Sequence, residues 1–325
     1  MQIDKSQVKR ILLITLSNVG DIILTTPVIS VLLKEFPGAR IDCMVGPRGK
    51  ELFEKDPRIF KLIIYDKHIN IAQKRRLQIK LKKLRYDLVV DMRNTIFPLL
   101  IGPKFRTGTI QRLPPEVVHS RQRHLYRLAS LGIENLTERS YIHIPDEDAR
   151  YAEDLLGQLQ VAEPMVVISP GAKSHLKRWT AEGFAAVADR LQAECKAAVV
   201  FIGQAEDEAV IREIMARMKR QAHTMVEKTN IRQLAHIMKR AKLVITNDSA
   251  PLHLGCAVGA KVLAIFGPTD PRRYGPTGEF DMAVFRKLVC SPCEKAECAY
   301  GLECMKLITP DEIFDAARIM LEGYE

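Results

Sequence analysis

An acid, a hydroxyl and a histidine fall within seven residues in the stretch NDSAPLH at 247–253, directly after the apolar run 243–246. That run is too brief for a helix and is bounded by polar turn residues, so it reads as a buried parallel strand. Asn247, Asp248 and Ser249 are all N-cap types, Pro251 suits a first helical turn, and Gly259 is placed to end the helix. A second strand over 261–266 runs into Gly267-Pro268-Thr269. In doubly wound sheets the strand's carboxyl end is where ligands bind, and a helix N-terminus there offers free N–H groups and a positive dipole end to phosphate. Taken singly, Asp248 is more often a helix cap and His253 a satisfied, half-buried histidine. Taken with GPTDP after the next strand, they point to a ligand site.

Other polar groups stand at comparable positions. Asp21 follows Gly20 where the apolar run within 8–16 turns into a helix; an acid there also simply stabilises the helix dipole. Ser169-Pro170-Gly171-Ala172-Lys173, then Lys177-Arg178-Trp179, follows a strand at 165–169, and Gly203-Gln204-Ala205-Glu206-Asp207 follows one at 197–203. Arg93 closes a strand at 88–92. The segment 102–127 is strongly basic, with Arg106, Arg112, Arg121 and Arg123 as forks suited to phosphate or carboxylate; a solvated basic face is the alternative. Its aromatic residues are only Phe105 and Tyr126, which disfavours single-stranded nucleic acid. Cys290, Cys293, Cys298 and Cys304 are enough thiols for a structural zinc or iron-sulfur site, but the second CxxC of a zinc ribbon is missing, so the expectation is no metal.

These residues need a scaffold of alternating strands and helices. The 325 residues fit two domains, and 47% hydrophobic content is ample for two cores. Composition shifts between 144 and 164, where an acidic helix precedes Glu163-Pro164, so the domains are expected at 1–160 and 161–309, with a closing helix over 310–325. No apolar run reaches the length of a membrane span and the start lacks a signal-peptide pattern, which leads to the expectation of a cytoplasmic protein with reduced thiols. A formal net charge of +10 asks for an anionic partner. Part of it lies in QKRRLQIKLKKLR at 73–85, seven bases interleaved with Leu77, Leu81 and Leu84 at helical spacing. Two alternatives stand for this helix: it lies on an anionic membrane surface, or its leucines pack on its own domain.

NDSAPLHLGCAVG followed by KVLAIFGPTDPRRYGP resembles the C-terminal signature of the family 9 glycosyltransferases, the heptosyltransferases of lipopolysaccharide inner-core synthesis. ILLITLSNVGDIILTTPVI resembles that family's opening motif, so the likeness spans most of the chain in the right order. The resemblance implies a GT-B architecture, α/β, with two Rossmann-like doubly wound domains facing across a cleft and the last helix crossing back to the first domain. It implies Asp21 as the base for an acceptor hydroxyl and Lys177 as the donor-phosphate lysine. Ser169, Gly171, Gln204, Glu206, Asp248, Ser249, Ala250 and His253 would complete the donor site. Ala250 stands where many members carry glycine, which puts a left-handed backbone in doubt there. Arg93, Arg106, Arg112, Arg121 and Arg123 would take an anionic, lipid-linked saccharide acceptor. The implied reaction is inverting transfer from ADP-heptose. ADP-sugar is then a substrate and no cofactor is needed. No DxD-type motif stands at a strand end, so metal-independent transfer is expected, by a protein peripheral to the cytoplasmic face of the inner membrane and binding no nucleic acid.

Two rivals are set against this expectation. A sugar-nucleotide epimerase would need a catalytic set that is not found here and would leave 102–127 without a role. A nucleotide-dependent binding module is disfavoured by the missing P-loop.

Overall fold

The computed structural model describes residues 3–108, 113–134 and 136–323. The chain divides into two compact units, Met1–His143 and Ile144–Glu325. Among the described residues no helix is long and apolar enough to cross a membrane.

The first unit runs β1 (Arg10–Ile14), α1 (Val19–Glu35), β2 (Arg40–Val45), α2 (Lys50–Phe53), β3 (Lys61–Ile64), α3 (Ile71–Lys83), β4 (Leu88–Asp91), α4 (Phe97–Ile101), β5 (Phe105–Arg106) and α5 (Ser120–Tyr126). Its sheet has the order β3-β2-β1-β4-β5, with every pair parallel. Apart from Arg10 and Asp91 at their ends, β1 and β4 are apolar throughout because a parallel sheet is covered on both faces. The chain order reverses between β1 and β4, so the turns leaving these two strands flank the crevice where such sheets bind ligands. Asp21 and Arg93 stand on those turns.

Helix α1 carries Pro27, whose missing N–H would leave the Ile23 carbonyl unpaired. The Thr26 hydroxyl donates to that carbonyl at 2.7 Å, and its oxygen accepts the Tyr141 N–H at 3.1 Å. Of the two alternatives for the leucines of the basic helix, packing is what the structure shows. Leu81 is buried with Phe97 and Ile101 of α4, and Leu77 and Leu84 pack on the same cluster.

The second unit runs α6 (Asp146–Gln158), β6 (Met165–Ser169), α7 (Ala181–Glu194), β7 (Ala198–Phe201), α8 (Glu208–Arg217), β8 (His223–Thr224), α9 (Ile231–Arg240), β9 (Leu243–Asn247), α10 (Ala250–Ala257), β10 (Val262–Phe266), α11 (Pro271–Tyr274), β11 (Met282–Phe285), α12 (Glu303–Lys306) and α13 (Pro310–Glu322). Its sheet is also fully parallel, in the order β11-β10-β9-β6-β7-β8. Here the reversal lies between β6 and β9, and the two loops with the densest polar motifs leave those strands.

Two expected boundaries differ. The acidic helix α6 lies with the second unit, so the division falls at 143/144 instead of 160/161. Buried Asp148 of α6 accepts from Arg232 Nε at 2.6 Å, Asn230 Nδ2 at 3.0 Å and Gln233 Nε2 at 3.1 Å, all at the start of α9. The closing helix α13 was expected on the first domain. Its apolar face, with Ile313, Phe314, Ala317 and Met320, is instead buried in the second unit's core beside Trp179 and Phe184.

Asp148→Ala is expected to destabilise the protein by about 3–5 kcal/mol, because buried Arg232 loses the carboxylate of its ion pair. Urea denaturation reads this out. Replacing both partners by apolar residues, Asp148→Leu with Arg232→Met, is expected to recover most of the loss.

Candidate active site

In the second unit one buried amide organises the loops at the reversal point. Asn247, the last residue of β9, is fully buried. Its Nδ2 donates to the Pro170 carbonyl at 2.7 Å, and its Oδ1 accepts the Trp179 N–H at 3.2 Å. Both ends of the 170–179 loop are thus fastened to the strand that carries Asp248. Trp179 is a packing anchor, as its buried indole donates to the Ile308 carbonyl at 3.0 Å and meets Phe184 edge to face.

Within that frame Lys177 Nζ lies 2.6 Å from Asp248 Oδ2, and the Thr269 hydroxyl donates to the same oxygen at 2.6 Å. Asp248 is almost wholly buried while the Lys177 side chain keeps 30% of its surface exposed, so the ammonium is presented and the carboxylate is the support behind it. Of the roles weighed for Asp248, its contacts are those of a positioning residue. Ser249 stands at the N-cap of α10, but its side chain makes no bond to the first-turn N–H groups; its Oγ is 3.4 Å from the Thr246 hydroxyl. N–H groups at such a terminus suit an anion. Ala250 opens the helix without a positive φ, so this position does not need glycine. His253 is buried within the same helix.

Ser169 is buried at the end of β6. A Cβ on Gly171 would fall 2.2 Å from the carboxyl group of Asp207, so that loop is pressed against a side chain absent from the expected set. Asp207 also accepts the Gln204 N–H at 3.1 Å, and the Gln204 side chain accepts the Asp207 N–H in return. This reciprocal cap commits Gln204 to the turn. Glu206, between them, is exposed.

In the first unit Asp21 lies in the first turn of α1, partly exposed, and accepts from Asn18 Nδ2 at 3.0 Å. Across the reversal point, buried Asp91 accepts the backbone N–H groups of Arg93 at 2.8 Å and Thr95 at 2.6 Å, shaping the turn after β4. The Arg93 guanidinium lies 5.9 Å above the Tyr65 ring. Arg127 bonds Asn94 in that turn, and its buried Nε has no hydrogen-bond partner among the described residues. Burial holds Arg127 below its ordinary pKa, against the pull of Asp91. Burial first, then the neighbouring Arg127, Arg123 and His119, hold His124 down at about 4. The expected set omitted Arg127, although its basic segment was singled out. Arg121 and Arg123 lie on α5 and Arg106 on exposed β5, whereas Arg112 falls outside the described residues.

The four cysteines at 290–304 gather by the loop after β10. Cys293 N donates to the Pro268 carbonyl at 2.9 Å, and Cys304 Sγ lies 3.2 Å from where a Gly267 Cβ would stand. Cys298 Sγ accepts the N–H groups of Tyr300 and Leu302, which hold its thiol pKa down. Among the described residues no three or more His, Cys, Asp or Glu side chains are grouped to hold a metal ion.

The family model for glycosyltransferase family 9 (heptosyltransferase) matches residues 105–303. The chain is 30% identical over 286 residues to lipopolysaccharide heptosyltransferase 3 of Escherichia coli strain K12, covering 77% of this chain and 80% of that protein. Its fold is similar to a family 9 glycosyl transferase from Veillonella parvula DSM 2008, with a TM-score of 0.84 at 24% identity and 98% of each chain covered. It is also similar to the E. coli ADP-heptose lps heptosyltransferase II, with a TM-score of 0.77 at 21% identity, covering 96% of this chain and 98% of that one.

The lowered His124 pKa makes folding stability depend on pH. The unfolded chain takes up this proton near pH 6.5 and the folded chain near 4, so stability falls as pH drops between those values. Thermal midpoints are expected to decline over that window. His124→Gln is expected to remove a part worth at most about 3 kcal/mol, an upper bound because the ring is only partly buried.

Proposed function

The chain belongs to glycosyltransferase family 9, and we propose that it moves heptose from ADP-heptose to the inner core of lipopolysaccharide. The chain is a glycosyltransferase; the donor, the acceptor and the residue roles that follow are the proposal. The observation that carries it is the Lys177 ammonium, held by Asp248 beside the α10 N-terminus at the reversal point of the second sheet. That arrangement suits the diphosphate of a nucleotide sugar.

The acceptor hydroxyl oxygen forms a bond to the anomeric carbon while the bond from that carbon to the diphosphate oxygen breaks. Asp21 accepts the hydroxyl proton as the bond forms. Lys177 and the positive end of α10 take up the charge growing on the departing ADP, a role in which one well-placed donor is worth roughly two to three orders of magnitude in rate. A single displacement of this kind inverts the anomeric centre. Asp248 holds the lysine, and Glu206 with the turn after β7 faces the nucleoside. In the first unit Arg93, Arg106, Arg121 and Arg123, joined by Arg127, meet the anionic groups of a lipid-linked acceptor. Arg112 belongs to the same proposal by sequence. No metal or cofactor has a role in this scheme.

Asp21→Ala is expected to lower kcat by about 10²–10⁴ with ADP affinity nearly unchanged. Lys177→Ala is expected to weaken ADP binding and to lower kcat by roughly 10²–10³. Steady-state kinetics and calorimetric ADP titration separate the two, and unchanged turnover in Asp21→Ala would remove the base assignment. Among ADP, UDP, GDP and dTDP, only ADP is expected to raise the thermal midpoint, with EDTA making no difference. A selective response to UDP or dTDP would keep the family and discard the donor.

A further inference from the structure

The leucines of α3 are used up in the first unit's core, yet the helix still leaves large aliphatic groups outside. Ile71 is 84% exposed and Ile79 is 48% exposed, and Ile79 lies nearly opposite buried Leu81 around the helix. Neighbouring α4 repeats the pattern. Phe97 and Ile101 join the core with Leu81, while Ile96, Leu99 and Leu100 stay exposed. Single exposed aliphatics are ordinary surface; five on or beside two helices that pack together over one sheet face are more than that.

The charge on this face is as uneven as its hydrophobicity. Lys74, Arg75, Arg76, Lys80, Lys82 and Lys83 all lie on α3, which has no acidic residue. Among the described residues none of these six bases forms an ion pair, although elsewhere on the surface Arg190, Arg217 and Arg286 do. The exposed bases Arg75 and Lys82 lie between Ile71 and Ile79 around the helix, so cations and aliphatics share a flank. Six unpaired cations within thirteen residues repel one another, and such a surface is best satisfied by a dense array of anions.

We propose that the α3–α4 face of the first unit docks on an anionic lipid bilayer. Headgroup phosphates meet the bases, whose long side chains reach outward, while the exposed isoleucines and leucines enter the boundary of the acyl region. An acidic protein would answer the charge but gives no reason for the bare aliphatic groups. A bilayer answers both. The inference rests on the reading of a lipid-linked acceptor and deepens it, since a docked first unit would work where that acceptor is anchored.

Co-sedimentation of the full chain with vesicles tests this. At 0.15 M salt the chain is expected to bind phosphatidylglycerol–phosphatidylethanolamine vesicles at least tenfold more strongly than phosphatidylcholine vesicles. The triple variant Ile79→Ser, Leu99→Ser, Leu100→Ser and the triple variant Arg75→Glu, Arg76→Glu, Lys82→Glu are each expected to lose at least tenfold. Reversing three bases of the second unit, Lys219→Glu, Arg220→Glu and Lys239→Glu, is expected to change binding less than twofold. All variants should keep the wild-type thermal midpoint and the ADP-induced shift. The proposal falls if wild type ignores phosphatidylglycerol, if the serine variant binds as well as wild type, or if the second-unit reversal weakens binding equally. It also falls if sedimentation velocity shows a dimer that the serine variant abolishes, which would make this face a contact between copies. Transfer to a detergent-dispersed acceptor reads the enzymatic assignment separately, so loss of docking with transfer retained would overturn only the docking.

Discussion

Asn247 uses both polar ends of its buried side chain on the loop after β6, one on the Pro170 carbonyl and one on the Trp179 N–H. A buried amide with either end unpaired would be costly, so the loop has little freedom to drift from β9. Lys177 sits inside that loop, and Asp248 is the residue next to Asn247. The short Lys177–Asp248 distance therefore follows from strand and loop being fastened one residue away. Thr269 brings the loop after β10 to the same carboxylate. Three adjacent parallel strands, β6, β9 and β10, thus send their carboxyl-end loops to one point. It is the sheet's order that makes this convergence possible.

The first unit is built on a related plan with a different electrostatic result. Asp91 is buried at the end of β4 and is consumed by the turn that follows it. Little acid then remains beside Arg93, Arg127 and Arg123. Burial first, and then the neighbouring arginines, keep His124 neutral. In the second unit the leading cation has an acid at its back. In the first, the cations outnumber the acids near them, which suits a ligand that brings several negative groups.

The strand, helix and strand about Asn247 were legible from local chemistry. The short apolar run, the cap residues and Gly259, which adopts a φ of +76°, all act within a few positions of one another. What escaped were pairings across long stretches of chain. Asp248 reads as a cap or a ligand contact until Lys177, 71 residues earlier, is folded against it. The acidic composition of 146–154 reads as a linker, and only its pairing with α9, led by Arg232 84 residues beyond Asp148, draws that helix into the second unit. Leu77, Leu81 and Leu84 have a helical spacing that serves a membrane or a core equally well, and packing on α4 decides between them. Asp207 did leave a local trace, because Gln204 and Asp207 have the spacing of a reciprocal cap. A glycosyltransferase motif directs attention to the ligand side of such a turn and away from its scaffolding.

Thr26 closes the gap that Pro27 leaves in α1 and, through the same oxygen, receives the amide of Tyr141. Helix α1, which carries Asp21 in its first turn, is therefore pinned at Thr26 to a stretch of chain 115 residues beyond that threonine, close to where the first unit ends. A proline that looks like a local irregularity serves as a cleat, and the returning chain is the rope made fast to it. Insertions or deletions just before residue 141 would pull on that cleat. Length in this stretch is constrained by the placing of a helix far away in sequence.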